Sequence, residues 1–325
     1  MSDSDSISRP PNELLRRIRR GSENALQELF ETEPTFLWSE SYNSRTGDSV
    51  LHYAARLGLI NILESIIVMC KCKCVDLKNK DDKTPLHEAA QCSQYRACEI
   101  LLEHGANVDT LKRADWTPLM LACTKIIGED SYKTVNVLLE NNALVECKNK
   151  DGWTAFHLVC RSGDLTILKM LLRKNVDVYQ ETYNGRTGLH IAALHGNLEI
   201  VRILLDLELE PDRTDSCGNT ALHDAVLGDN IEVCKLLINY GAHTRFVNSR
   251  GFSILHMAVS QGFLEIVEYI LKDLNFDINE KTNDGYTVLH CAAKQGHKEL
   301  HGMLIFRGAD NSITDNFGRF SNQYF

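Results

Sequence analysis

The stretch Thr84-Pro85-Leu86-His87-Glu88-Ala89-Ala90 decides the fold, because it does not stand alone. A leucine or phenylalanine followed by histidine recurs at Leu51-His52, Leu86-His87, Phe156-His157, Leu189-His190, Leu222-His223, Leu255-His256 and Leu289-His290. Leu119-Met120 completes the series with methionine in the histidine slot. Successive copies stand 35, 33, 37, 33, 33, 33 and 34 residues apart. Such a period marks a chain that stacks one small supersecondary unit on the next. The 325 residues therefore predict one continuous stack, where length alone suggests two globular domains.

Each copy reads physically. Thr84 suits an N-cap and Pro85 the first helical position, where a missing N–H costs nothing. A short inner helix follows, with small alanines that permit close packing. An outer helix then carries an apolar stripe, such as Leu198, Ile200, Val201, Ile203, Leu204 and Leu205. Gly105, Gly241 and Gly308 fit the left-handed residue that ends a helix. An extended finger such as Val108-Asp109-Thr110-Leu111-Lys112 leads into the next turn. No single copy can bury its own apolar face, so stacking supplies the core.

The turn at 84–87, repeated as Thr117-Pro118-Leu119-Met120 and more loosely as Thr187-Gly188-Leu189-His190 and Thr220-Ala221-Leu222-His223, resembles that of the ankyrin repeat. The resemblance implies an all-α ankyrin-repeat solenoid of helix-turn-helix repeats with finger loops. The expected organisation is a disordered tail at 1–12, a helical cap at 13–47, eight repeats over 48–314 and the truncated start of another at 315–325. Arg16, Arg17, Arg19 and Arg20 then lie on the solvated face of the cap. The last repeat keeps little to cover its open side.

Composition narrows the function. Hydrophobic residues make up 43% of the chain, enough for a core and too many for a disordered polymer. With 35 basic and 44 acidic residues the net charge is −9, which argues against a protein living on phosphate contacts. The apolar run at 66–70 is far short of the ~20 residues of a membrane span. A polar N-terminus and eleven cysteines predict free thiols in a reducing, cytoplasmic setting, with the nucleus as a second site.

No candidate for catalysis emerges. Histidines at one repeating slot do a repeat-level job, hydrogen bonding between adjacent turns, whereas acid–base chemistry needs a single tuned residue. Cys70, Cys72 and Cys74 lack a fourth ligand and the usual zinc spacing, so they read as an incidental, partly exposed cluster. Phosphate-loop, nucleophile-elbow and H-E-x-x-H motifs are absent. No catalytic residue, metal site or cofactor is expected.

The fingers carry more information. Lys78, Lys80 and Lys83, then Lys112 and Arg113, then Lys148 and Lys150 line up as a basic stripe on an acidic protein. Trp116 and Trp153 hold the turn position just before the threonine, and Phe252 and Tyr286 hold it in two later copies. Exposed tryptophan beside cations on a concave surface is the chemistry of a protein-binding hot spot. Lys78, Lys80, Lys112, Arg113, Trp116, Lys148, Lys150 and Trp153 are therefore the expected partner-binding residues.

The runs Lys112-Arg113-Ala114-Asp115-Trp116-Thr117-Pro118-Leu119-Met120 and Lys148-Asn149-Lys150-Asp151-Gly152-Trp153 depart from a generic repeat. They resemble a vertebrate family of ankyrin-repeat cofactors of alanyl-tRNA synthetase, and the likeness runs over roughly 48–312. The resemblance implies docking on the catalytic domain of alanyl-tRNA synthetase and protection of tRNA(Ala) from serine, captured on lysine side chains. Lys150 matches an acceptor lysine. Arg113 stands at another acceptor place and cannot lose its proton, which leaves Lys112 beside it. A third acceptor place falls near Tyr179 or Gln180, with Lys174 the nearest lysine. About four extra residues around 126–133 are expected to lengthen an inter-helix loop. The alternative function is an adaptor that grips an unrelated protein or peptide; direct nucleic-acid binding and membrane binding are not expected.

Overall fold

The computed structural model describes residues 45–325 except Cys72 and 125–127, together with Asn24 and Glu28. The expected tail at 1–12 and most of the cap at 13–47 lie outside the described residues. Paired helices follow one another at the spacing of the Leu-His copies, and the chain divides into two units, Met1–Val176 and Asp177–Phe325.

In the first unit the inner helices are α1 (Val50–Leu57), α3 (Pro85–Gln91), α5 (Pro118–Cys123) and α7 (Ala155–Ser162). The outer helices are α2 (Ile60–Met69), α4 (Tyr95–Glu103), α6 (Glu129–Glu140) and α8 (Leu165–Arg173). Helix α3 packs between α1 and α5, and α5 meets α7; α4 likewise lies between α2 and α6. Leu51, Leu63, Ile66, Ile67, Leu86 and Leu101 are fully buried between the two layers. These are the leucine of each Leu-His pair and the outer-helix stripe, as the pattern predicts.

The second unit repeats the scheme. Its inner helices are α9 (Gly188–Leu194), α11 (Ala221–Leu227), α13 (Ile254–Gln261) and α15 (Val288–Lys294). Its outer helices are α10 (Leu198–Asp206), α12 (Ile231–Asn239), α14 (Leu264–Asp273) and α16 (Lys298–Phe306). Gly241 and Gly308 adopt φ of 92° and 95° just beyond α12 and α16, as Gly105 does at 87° beyond α4. A side chain is strained in that conformation.

Fingers join successive repeats through backbone bonds at equivalent places. The Arg113 N–H donates to the Asp81 carbonyl (2.9 Å) and Lys150 to Ala114 (3.1 Å). In the second unit Ser216 donates to Asn184, Ser249 to Cys217 and Asn316 to Asp284. Each finger closes on itself, as in Lys112 to Trp116 and Asn149 to Trp153. Buried Asn79 and Asn149 accept two further N–H groups inside their turns, so the short fingers keep their polar backbone satisfied.

Two expectations change. The extra residues are divided: five residues, 124–128, separate α5 from α6 where three separate α3 from α4, and 129–133 open α6, which runs for twelve residues where α4 has nine. Glu129 and Asp130 complement the helix N-terminus, and the Glu129 carboxylate pairs with Lys133 one turn on at 2.7 Å. The last repeat is not left open. After the turn at Asp315, a 3₁₀ helix (Ser321–Tyr324) packs on α15. The Tyr324 ring meets Tyr286 and His290, and the Phe325 ring meets His301 at 5.0 Å.

Candidate protein-interaction surface

The histidines are scaffold, and the geometry fixes how. The backbone N–H of Thr84 donates to His87 Nδ1 at 3.1 Å. Thr154, Thr187, Thr220 and Thr287 do the same to the histidine three residues on. With Nδ1 accepting, the proton sits on Nε2, which donates to a carbonyl in the following turn. His87 reaches Trp116, His52 reaches Lys83, His190 reaches Asn219 and His290 reaches Arg319, at 2.9 to 3.1 Å. Burial pushes His87, His223 and His256 down to about 4. His52, His87, His190 and His290 thus tie one turn to the next, whereas His223 Nε2 is buried without a hydrogen-bond partner.

The finger cations differ in exposure. Lys78, Lys80, Lys148, Lys150 and Arg113 are exposed, whereas Lys112 is half-buried. The Lys78 ammonium donates to the Leu111 carbonyl (3.4 Å) and Arg113 pairs with Asp81 (3.4 Å), so neighbouring fingers are also linked by side chains. The Lys150–Ala114 backbone bond sets the second tryptophan motif beside the first. Burial, and then the nearby Lys83 charge, pull the Lys112 amine below its ordinary value.

The tryptophans were expected to be exposed, and they are half-buried. The turn position places each ring against its own repeat: Trp153 lies 6.2 Å from the His157 ring, and Lys112 Nζ sits 5.5 Å from the Trp116 centroid. Each indole therefore covers the base of its turn and still presents part of its face. Such partly covered aromatics beside cations fit the anatomy of an interface rim around a buried anchor.

Cys74 is completely buried, Cys70 is half-buried, and Cys72 lies outside the described residues. Among the described residues no cluster of three histidine, cysteine or acidic side chains could hold a metal ion. Tyr179, at the place of the third expected acceptor, is exposed and its hydroxyl donates to the Leu207 carbonyl. Lys174 caps the end of α8.

The inner faces hold charges that sequence reading passed over. Arg56 binds Asp48 (3.0 Å) and Glu88 (2.9 Å), and Lys83 also reaches Glu88 (3.2 Å). Burial pushes the Glu88 carboxyl up, and Arg56 and Lys83 outweigh it to hold the group below its usual value. In the second unit Arg186 binds Asp224 at 2.6 Å. A pocket of about 250 Å³ opens there between α13, α15 and their fingers, with Phe252, Met257, Tyr286 and Cys291 in its wall. Its only signal in the sequence is that Phe252 and Tyr286 share the turn slot of the two tryptophans.

A family model described as ankyrin repeats (3 copies) matches residues 51–149, 126–215, 156–246 and 222–315. The ankyrin repeat domain of human ASB11 superposes with a TM-score of 0.57 at 30% identity, over 65% of this chain and 92% of that one. A Caenorhabditis elegans homologue of transient receptor potential cation channel subfamily A member 1 is 31% identical over 111 residues, 34% of this chain. Mouse protein phosphatase 1 regulatory subunit 12A is 30% identical over 90 residues, 28% of this chain. These matches span 9% of each relative's own length, so the likeness is one of repeats and not of whole proteins. Stacked repeats of this kind present extended binding surfaces for a protein partner. The period, the helix pairs, the matched model and the superposed domain agree: the chain belongs to the ankyrin-repeat family.

Proposed function

We propose that this chain is a non-enzymatic docking protein whose fingers and turns over 78–153 bind the catalytic domain of alanyl-tRNA synthetase. The observation that carries the reading is the pair of half-buried indoles, Trp116 and Trp153, in turns of linked fingers that also carry exposed Lys78, Lys80, Arg113, Lys148 and Lys150. The cations alternate with Asp81, Asp82, Asp115 and Asp151 in the same fingers, so the face offers a partner paired charges of both signs around the rings. The two motifs that hold the tryptophans support the choice of synthetase.

Serine capture is the finer part of the proposal. The lysine ε-nitrogen attacks the carbonyl carbon of seryl-adenylate, a C–N amide bond forms, AMP leaves with the electron pair of the C–O bond, and the ammonium proton passes to solvent. An ordinary lysine is neutral only about once in 2,500 at pH 7, so docking close to the adenylate must supply reactivity. Lys150 has the access for this role. Lys112 has the lower basicity, and its ammonium must first leave the Trp116 face. The modified lysine is consumed, so the chain does not turn over. Added serine specificity is useful because an alanine pocket rejects an extra hydroxyl poorly.

The test is a pull-down with purified alanyl-tRNA synthetase, using wild type, Trp116→Ala with Trp153→Ala, and Lys148→Glu with Lys150→Glu. Wild type is expected to bind and both double variants to lose at least about tenfold in affinity, with unchanged circular dichroism. Serine and ATP added to the complex should leave a seryl mass on Lys150 or Lys112. Absence of wild-type binding, or equal binding by both variants, rejects the docking face; unmodified lysines in a bound complex reject capture alone.

A further inference from the structure

The pocket in the second unit has an unusual charge arrangement. Three arginines of the repeats are paired with carboxylates: Arg56 with Asp48 and Glu88, Arg186 with Asp224, and Arg319 with Asp315. Lys294 occupies in its repeat the place that Arg56 holds in the first, five residues after the leucine of the Leu-His pair. The place of Glu88 and Asp224, two residues after that leucine, is taken here by Met257 and Cys291. Of the eight copies only those with Glu88 and Asp224 carry a carboxylate at this place, and Arg250 and Lys294 border copies that carry Met257 and Cys291.

Arg250 and Lys294 accordingly face rings. The Arg250 guanidinium lies 5.2 Å from the Phe252 centroid and Lys294 Nζ 4.9 Å from that of Tyr286. Both cations are exposed, and neither forms an ion pair among the described residues. No acidic residue lines the pocket. Its floor is apolar and nearly dry, with Met257, Tyr286 and Cys291 each less than a tenth exposed. At about 250 Å³ the space is below the range of small-molecule and cofactor sites and suits one apolar side chain.

We propose that this pocket is a separate recognition site for an extended acidic peptide, which seats an apolar side chain between Phe252 and Tyr286 and sets its flanking carboxylates against Arg250 and Lys294. Charge complementarity selects this occupant: two unpaired cations rim an apolar floor, so an uncharged or basic segment leaves them desolvated without a partner. The protein's net charge of −9 gives an acidic peptide no long-range attraction, so the affinity comes from this local pair. The site shares no residue with the fingers of 78–153, and its failure leaves the synthetase reading untouched.

The experiment is fluorescence anisotropy on the full chain with fluorescein-labelled pentapeptides carrying two acidic residues on each side of a central leucine, phenylalanine or methionine. Controls replace the centre with serine or the flanks with lysine. At least one acidic peptide with an apolar centre should bind, and the lysine-flanked peptides should not. Arg250→Ala with Lys294→Ala should weaken binding about fivefold or more at low salt, with the thermal midpoint unchanged because both side chains are exposed. The wild-type affinity should also fall as salt rises. Met257→Glu, which puts a carboxylate at the Glu88 place, should weaken it as well. Failure of every acidic peptide to bind, equal binding of lysine-flanked peptides, or undiminished binding by the double alanine variant overturns the proposal.

Discussion

At the residue scale the recurring histidine is the most informative side chain, and its job sets a pH limit on the fold. In His52, His87 and His190 both ring nitrogens are engaged in the neutral form, so a second proton on Nδ1 would confront an N–H that already donates there. An unfolded imidazole binds its proton near 6.5, whereas burial holds His87, His223 and His256 near 4 and depresses His52 and His190 as well. Between those values the unfolded state carries more protons. Stability is therefore full above the unfolded value and drains away as pH falls towards 4. By pH 5 the loss is roughly 2 kcal/mol for each of the three strongly depressed residues. Urea midpoints measured at pH 7.5 and pH 5 should show a large drop, and a flat profile would contradict it. The histidine slot was legible from repetition alone. The depression was not, because it depends on which atoms close over each ring.

At the element scale, periodicity foretold the helix pairs because each inner helix begins at a Ser or Thr cap and each outer helix has one apolar side. Leu204 on α10 illustrates the cost of breaking that side: it is completely buried among the stripe of its repeat. Leu204→Ala should destabilise the second unit by about 2–5 kcal/mol, read by chemical denaturation. A change below about 1 kcal/mol would mean that the stacked layer collapses around the gap. The extra residues before α6 lengthen both the connection and the helix, since counting residues cannot tell where a helix starts. The acidic pair at 129–130 and the Glu129–Lys133 contact decide that, and only their geometry makes it visible.

At the scale of the whole molecule, what packs on the repeat of α15 and α16 determines how much of it meets water. Residues 321–325 supply a lid for α15: the Ser321 hydroxyl is 3.0 Å from His301 Nε2, and the Tyr324 hydroxyl donates to Asp315. Deleting 321–325 should lower the stability of the second unit by about 2 kcal/mol or more and speed amide exchange in α15. Unchanged exchange there would show that the lid is idle. The two interaction surfaces differ in legibility for a related reason. The basic fingers could be read because they recur at one register. The second-unit pocket could not, because its character comes from rings drawn from two different turns and from the cations set against them.

The amino-acid sequence by itself determined the repeat, the paired helices, the caps and the scaffold role of the histidines, since all of these follow from local spacing and hydrogen-bonding chemistry repeated at one period. Only the tertiary structure decided how much of each tryptophan stays open, which cations are already paired and how the last repeat is covered. Those properties belong to contacts between residues about 30 positions apart, where burial and charge pairing depend on the neighbouring repeat and not on the residue's own.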